Sequence, residues 1–402
     1  LIFSVILCAG LLGVALQDRT LTLPRFVQTK LNVFLNTEPD FPEISFGSAK
    51  IGFSTIFDPK LVLEGVQFSD DLTGSGVSLG RLEVVFDGIE FITGVLVPVS
   101  TRLNGAVLDV TRKIDGSFDL GFDVSNGIIT TLSVEEVFTK IEGFFVDDEF
   151  KSLETAEINQ VTVNYTDQLN KRAWTFDGGQ LRAERDNGRV KLRIDLALLS
   201  GGDEPATVGI GYEFSTAGIG ELSAEMHNIP ARDLGIQSEA LTWLSLVNGN
   251  LSGSFRSTRI NGEFDELNAL LDFGQGELLA GKGNKPIPYS KAKTYFSYSP
   301  KNERLDIDLI LIESDWGKLS ASGYSLLLSD GENGHLSDGM ILDLEVDSAE
   351  LGSTPWWADD VKVSKATSQI KITYSPLHVD VGQIQARVNG ANIIGTGSAS
   401  LI

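Results

Sequence analysis

Cysteine is nearly missing from this 402-residue chain, and its single example is Cys8. No intrachain disulfide can form, and no cysteine-based metal site can be built. Histidine is almost as scarce. His227, His335 and His378 stand apart in the sequence, with no carboxylate or second histidine at metal-ligand spacing. Basic residues are outnumbered, with 32 Lys and Arg against 55 Asp and Glu and a formal net charge of −23. That balance argues against nucleic acid, which needs a basic face to meet phosphates. It argues equally against electrostatic docking on anionic lipid. The short catalytic signatures are missing too: there is no G-x-S-x-G, no P-loop and no H-E-x-x-H. "GIGYEF" and "GQGELL" carry glycine pairs without a dinucleotide fingerprint, and "DGENGHLSD" lacks calcium-loop spacing. The chain therefore reads as non-enzymatic, with no catalytic residues, no metal and no cofactor.

What is present begins with "LIFSVILCAGLLGVAL", residues 1 to 16, which holds no charge. As a helix it would span about 24 Å, against a hydrocarbon core of roughly 30 Å. The sequence after it, "QDRTLTLPRF", offers no small-x-small cleavage site. A strand of that length would be unusual. Residues 1–19 are expected to be a transmembrane anchor that starts inside the segment. Arg19, Arg25 and Lys30 follow it, where a translocated flank should be poor in basic residues. Leu7, before Cys8, is too large for a lipoprotein signal.

Residues 20–40 read as a short amphipathic helix beside the membrane, with Pro24 at its start and Val27, Leu31, Phe34 and Leu35 on one face. Beyond Ile44 the period becomes two. Leu82, Val84 and Phe86 fall on one side of "RLEVVFDG". Val190, Leu192, Ile194, Leu196 and Leu198 face away from Lys191, Arg193 and Asp195. Leu305, Ile307, Leu309 and Leu311 align, as do Leu342, Leu344 and Val346. Such alternation marks antiparallel strands with one dry and one wet face. Asn187-Gly188 marks a tight hairpin, since both residues accept positive φ, and Ser329 to His335 marks another turn.

Two helices stand out. Residues 133–145 begin with a Ser133/Glu136 capping box and bury Val134, Val137, Phe138, Ile141 and Phe145. "SEALTWLSLVNG" places Leu241, Leu244 and Val247 inward and stops at Gly249. A soft boundary is expected around Asp147 to Glu154, dividing a 41–150 region from a 151–402 region. The latter contains a weak repeat. "FSYSPKNERLDIDLILIESDWGKLSASG" and "ITYSPLHVDVGQIQARVNGANIIGTG" share Tyr-Ser-Pro, a strand, a turn at Gly317 or Gly390, and a strand closing on Gly323 or Gly397. Repeated hairpins suggest an array that grows in one direction. Its dry face needs a cover: helices, a second sheet, or lipid in an open trough.

The layout resembles the AsmA-like proteins of Gram-negative bacteria, in particular their YhdP-type branch. The resemblance rests on a membrane anchor and short helix followed by "ISFGSAKIGFS", "PKLVLEGVQFSD", "LGRLEVVFD" and "TRLNGAVLDVTRKIDGSFDLG", the last with Arg112, Asp115, Gly116 and Phe118. "NIPARDLG" and "GELLAGKGNKPIPYSKAKTYFSYSP" extend it. It implies a mainly β fold: an elongated, twisted antiparallel sheet curled into an open hydrophobic groove, with an N-terminal transmembrane helix and few short helices. It implies a single-pass inner-membrane protein with its body in the periplasm, part of a longer chain. The implied function is carriage of phospholipids between inner and outer membranes, in support of outer-membrane biogenesis. The groove lining is then expected from Leu82, Val84, Phe86, Val190, Leu192, Ile194, Leu196, Leu305, Ile307, Leu309, Leu342 and Leu344. The alternative is a non-catalytic scaffold or accessory subunit that docks on an inner- or outer-membrane protein, for which Trp356-Trp357 is the sequence hint.

Overall fold

In a computed structural model the structure describes residues 19–36, 43–55, 57–69, 76–119, 133–147, 150–199, 205–215, 218–237, 239–279, 285–328, 338–352, 360–374 and 377–400. The apolar run with Cys8, the turn holding His335, and Trp356-Trp357 lie outside them. Among the described residues no helix is long and apolar enough to cross a membrane. Strands make up 68% and helices 14% of the described residues, and the sheet structure is twisted, mixed and not closed. The chain divides into two compact units, one running through Pro205 with Gly209–Gly220, the other Ala206–Val208 with Glu221 onward. The boundary anticipated at Asp147 to Glu154 falls inside the first.

The first unit contains β1 (Thr20–Thr22), β2 (Glu43–Ser45), β3 (Ser48–Phe53), β4 (Pro59–Ser69), β5 (Gly76–Phe86), β6 (Pro98–Asn104), β7 (Val107–Arg112), β8 (Phe118–Asp119), β9 (Thr155–Asp167), β10 (Arg172–Asp186) and β11 (Arg189–Leu198), then β12 (Ala206–Ser215) from Gly209 onward. Its helices are α1 (Arg25–Leu35), α2 (Gly88–Thr93) and α3 (Val134–Val146). β1, β3, β4, β5 and β6 pair antiparallel in that order, and β9, β10 and β11 do likewise. The two sets join in parallel: Ser100–Asn104 of β6 and then Val107–Arg112 of β7 run alongside β9. This corrects the all-antiparallel expectation. The chain between β7 and β9 contains α3, and a long crossover of this kind is what a parallel neighbour requires. β6 and β7 thus form one nearly continuous strand, kinked at Gly105, whose φ of 75 only glycine accepts readily.

Helices cover the dry face of this unit. Leu31 and Leu35 of α1 pack against a buried cluster of Ala49, Leu63, Val66, Leu79 and Ala106. Phe34, expected on that face, points the other way and is 63% exposed, alongside Phe26 and Val33. The α1 apolar stripe is narrower than its sequence implies, because Leu31 and Leu35 already fill the contact. α3 carries the full capping box, with Ser133 Oγ accepting from Glu136 N and Glu136 Oε2 accepting from Ser133 N. Phe138 packs edge-on against Tyr212, and Phe145 against Phe214. Val134, expected to be buried, is exposed in the first turn. The β10–β11 hairpin turns at Asn187-Gly188, both at positive φ.

The second unit contains β13 (Ile219–Pro230), α4 (Ala231–Gly235), a 3-10 helix (Glu239–Leu246), β14 (Val247–Asn248), β15 (Asn250–Ile260), β16 (Glu263–Phe273), β17 (Gly276–Leu278), β18 (Ile287–Tyr289), β19 (Lys291–Ser299), β20 (Arg304–Ser314), β21 (Gly317–Leu328), β22 (Gly339–Leu351), β23 (Val361–Tyr374), β24 (Leu377–Val388) and β25 (Ala391–Ser400). β15, β16 and β19 through β25 pair antiparallel in sequence order. β14, β17 and β18 form a separate three-stranded sheet. The segment expected as an α-helix is 3-10, and it buries Leu241 and Leu244 as the sequence implied. Val247, also buried, already belongs to β14.

The repeat is exact in register. β20 and β21 pair Ile307 with Gly323, skip, and resume with Ile310 opposite Ala321. β24 and β25 pair Val381 with Gly397, skip, and resume with Ile384 opposite Gly395. Each repeat therefore carries a β-bulge at the same place. A bulge adds one residue to a strand and so exchanges its two faces.

Candidate functional site: an apolar cavity in the second unit

The bulge decides which side chains meet. Before it, Leu305 and Ile307 face the dry side, and Ile307 stands opposite Phe296, which is 1% exposed. After it, Ile310 stands opposite buried Thr294 and Ile312 opposite Ala292. Leu309 is carried to the other face, opposite outward-facing Tyr295. Simple alternation put Leu309 in line with Leu305 and Ile307; the extra residue, Asp308, breaks that line. The signal was available in the repeat, because the position matching Leu309 is Gln383, an exposed polar residue.

Leu305, Ile307, Ile310, Ile312, Met340 and Leu342 line one side of a cavity of about 250 Å³. Neighbouring strands add Phe273 of β16 and Ile372 of β23. The 3-10 helix and the small sheet supply its cover. Trp243 stands 6.1 Å from the Phe273 ring and 6.4 Å from the Phe296 ring. Leu246 and Val247 complete that side. Backbone hydrogen bonds hold the cover in place: Leu279 N donates to Leu246 O and Ser290 N to Glu313 O. Ala292 keeps its part of the wall low where a larger side chain would fill it.

The cavity is apolar. Lys293 contributes to its wall, but its Nζ lies 3.8 Å from Asp272 Oδ2, and these two residues are paired across β16 and β19. Two wall residues carry buried polar atoms, Trp243 Nε1 and Tyr289 Oη, that have no protein hydrogen-bond partner, and the Tyr289 hydroxyl packs against Gly249 and Gly276. Burial pushes the Tyr289 hydroxyl pKa upward, so it stays a neutral donor. Neither aromatic was anticipated as part of a site.

The other anticipated lining residues are placed elsewhere. Leu344 lies on the face of Leu342, opposite Gly323, but outside the cavity wall. Leu311, not among the expected lining residues, touches the wall and is 38% exposed. In the first unit, Leu82 packs against the cluster beneath α1, and Val84 and Phe86 are half-buried. Val190 is buried and Leu192, Ile194 and Leu196 are half-buried along β11.

His378, read as isolated, pairs through Nε2 with Asp380 Oδ1 at 2.9 Å, two residues along the same strand. Among the described residues no group of three or more His, Cys, Asp or Glu could hold a metal ion. Asn164-Tyr-Thr166 and Asn250-Leu-Ser252 match the glycosylation sequon and sit in strands, where Asn164 donates to Asp109 and Asn250 to Asn228. Fold and site together define a mainly β protein with an apolar cavity in its second unit. Comparison with protein-family models and with curated proteins finds no match for the chain.

Proposed function

We propose that the protein is a membrane-anchored lipid carrier of the AsmA-like, YhdP-type kind, held in the inner membrane by residues 1–19, with its β-rich body in the periplasm, moving phospholipid between inner and outer membranes. The observation that carries this reading is the apolar cavity of the second unit. At about 250 Å³ it is smaller than the roughly 300–1,000 Å³ of pockets that enclose a drug-sized ligand. It matches a segment of one acyl chain rather than a whole diacyl lipid, so the headgroup stays outside. Because α1 and α3 pack over the dry face of the first unit, acyl contact is assigned to the second unit rather than to one continuous trough.

A photo-crosslinking residue placed at Ile310 and, separately, at Leu309 tests the reading. Ile310 should capture phospholipid and Leu309 should not. The reading fails if neither position captures lipid and the purified protein carries no extractable phospholipid. A second reading, a non-catalytic scaffold or accessory subunit, draws on β25. Among the described residues this strand pairs only with β24, and it exposes Ile393 and Ile394. The far edge of β25 is one on which a further strand can pair.

A further inference from the structure

We propose that the α2 loop of the first unit is a membrane-contacting wedge that seats this end of the sheet on a lipid bilayer. The loop spans Asp87 to Val97 between β5 and β6. It exposes Ile89 (76%), Ile92 (58%), Phe91, Val95 and Leu96, and the adjoining β3–β4 loop exposes Phe57. The two loops adjoin, since Gly88 N donates to Asp58 Oδ1 at 3.2 Å and a Cβ on Gly88 would lie 2.3 Å from Phe57 O. Six large exposed apolar side chains on two adjoining loops are far more than the scattered single residues of an ordinary surface.

The backbone of this loop is as closed as its side chains are open. Asp87 Oδ1 accepts from Ile89 N and Glu90 N, which caps the helix start. At the other end Gly94 N donates to Phe91 O, while Val95 N and Thr93 Oγ1 donate to Glu90 O. Asp87 N donates to Val97 O and closes the base. A segment that enters lipid must satisfy its own peptide groups, because lipid supplies no partners. This one does so at both ends of its single helical turn and a half.

Its position selects the partner. β1 pairs Thr20 with Gly52, β3 and β4 pair Phe53 with Pro59, and β5 and β6 pair Phe86 with Pro98. These pairs place Arg19, the Phe57 loop and the α2 loop at one end of the sheet. The uncharged run of residues 1–16 therefore joins the described chain at the same end as the patch. With Glu90 exposed on the loop and a net charge of −23, the contact is apolar rather than electrostatic.

The inference rests on the membrane-anchored reading of residues 1–19 but uses nothing of the cavity. Its test uses the full chain with Cys8→Ser, reconstituted into phosphatidylethanolamine/phosphatidylglycerol vesicles. An environment-sensitive fluorophore is attached at Ile92→Cys, at Ile89→Cys as a second position, or at Ile114→Cys. Ile114 is 73% exposed and follows β7 at the opposite end of the β6–β7 strand, about 50 Å from the patch at the usual rise per residue. Nitroxide-labelled lipid should quench positions 89 and 92 several-fold more than 114, with a blue-shifted emission. If the chain floats with the vesicles but 92 and 89 behave like 114, the wedge is refuted and the anchor stands. If the chain does not float, both fail. Equal shielding of 89 and 92 without lipid would mean that residues 1–18 or a second copy cover the patch, which also overturns the assignment.

Discussion

Leu309→Glu and Ile310→Glu are adjacent substitutions with opposite expected consequences. Ile310 faces the cavity between Thr294 and Ala321, whereas Leu309 faces outward beside Tyr295. Replacing half-buried Ile310 forfeits about 1 kcal/mol of apolar burial. Leaving a carboxyl group without a partner on that face costs about 2 kcal/mol more. The sum is about 3 kcal/mol. At Leu309 the new carboxylate stands on the wet face, and the cost should stay within about 1 kcal/mol. Urea unfolding of the full chain, followed by tryptophan emission to which Trp243 contributes, reads the difference. With an m-value of about 2 kcal/mol per M, the midpoint for Ile310→Glu should fall about 1 M below that for Leu309→Glu. An equal or larger fall for Leu309→Glu would refute the bulge assignment and restore simple alternation along β20.

The two repeat glycines should also part company. A Cβ at Gly323 would lie 2.0 Å from the Asp343 backbone oxygen on β22, at φ +150, whereas a Cβ at Gly397 on β25 would meet nothing within 4 Å. Gly323→Ala is expected to cost about 3 kcal/mol and Gly397→Ala less than about 0.5 kcal/mol, checked by thermal melts; equal costs would mean that Gly323 has room. The Tyr165 hydroxyl is pushed up to about 12, first by burial and then by nearby Asp167. The neutral phenol is favoured in the fold, so its stabilisation is complete below pH 10 and is lost as pH rises to 12. Discounted for partial exposure, this is about 1 kcal/mol. Alkaline unfolding curves should flatten in that window for Tyr165→Phe, and an unchanged slope would exclude Tyr165 as the source.

Residue pattern alone reached most of the local structure. The period-two runs are strands, Asn187-Gly188 is the hairpin turn it appeared to be, and Ser133 with Glu136 caps α3. These features depend on neighbours within a few residues, so a linear reading holds them. α2 was missed although Asp87 and Gly94 mark its two ends; six residues give too little periodicity to stand out. Leu309 was assigned to the wrong face for a different reason. One inserted residue is invisible to hydrophobicity, and only its repeat counterpart, Gln383, betrays the switch.

The sequence by itself determined that the chain is mainly β, that its strands have a dry and a wet side, and that two hairpins repeat. It could not determine what covers the dry side, because a strand against a helix, against another sheet or against lipid shows the same alternation. Only the tertiary structure decided that. In the first unit α1 and α3 lie over the face, and the crossover that carries α3 makes β9 parallel to β6 and β7. In the second unit the 3-10 helix brings Trp243 over Phe296 and leaves a cavity between them and the sheet. Such contacts join residues on different elements well separated along the chain, and packing between such residues is set by where the chain folds back, which no local period encodes.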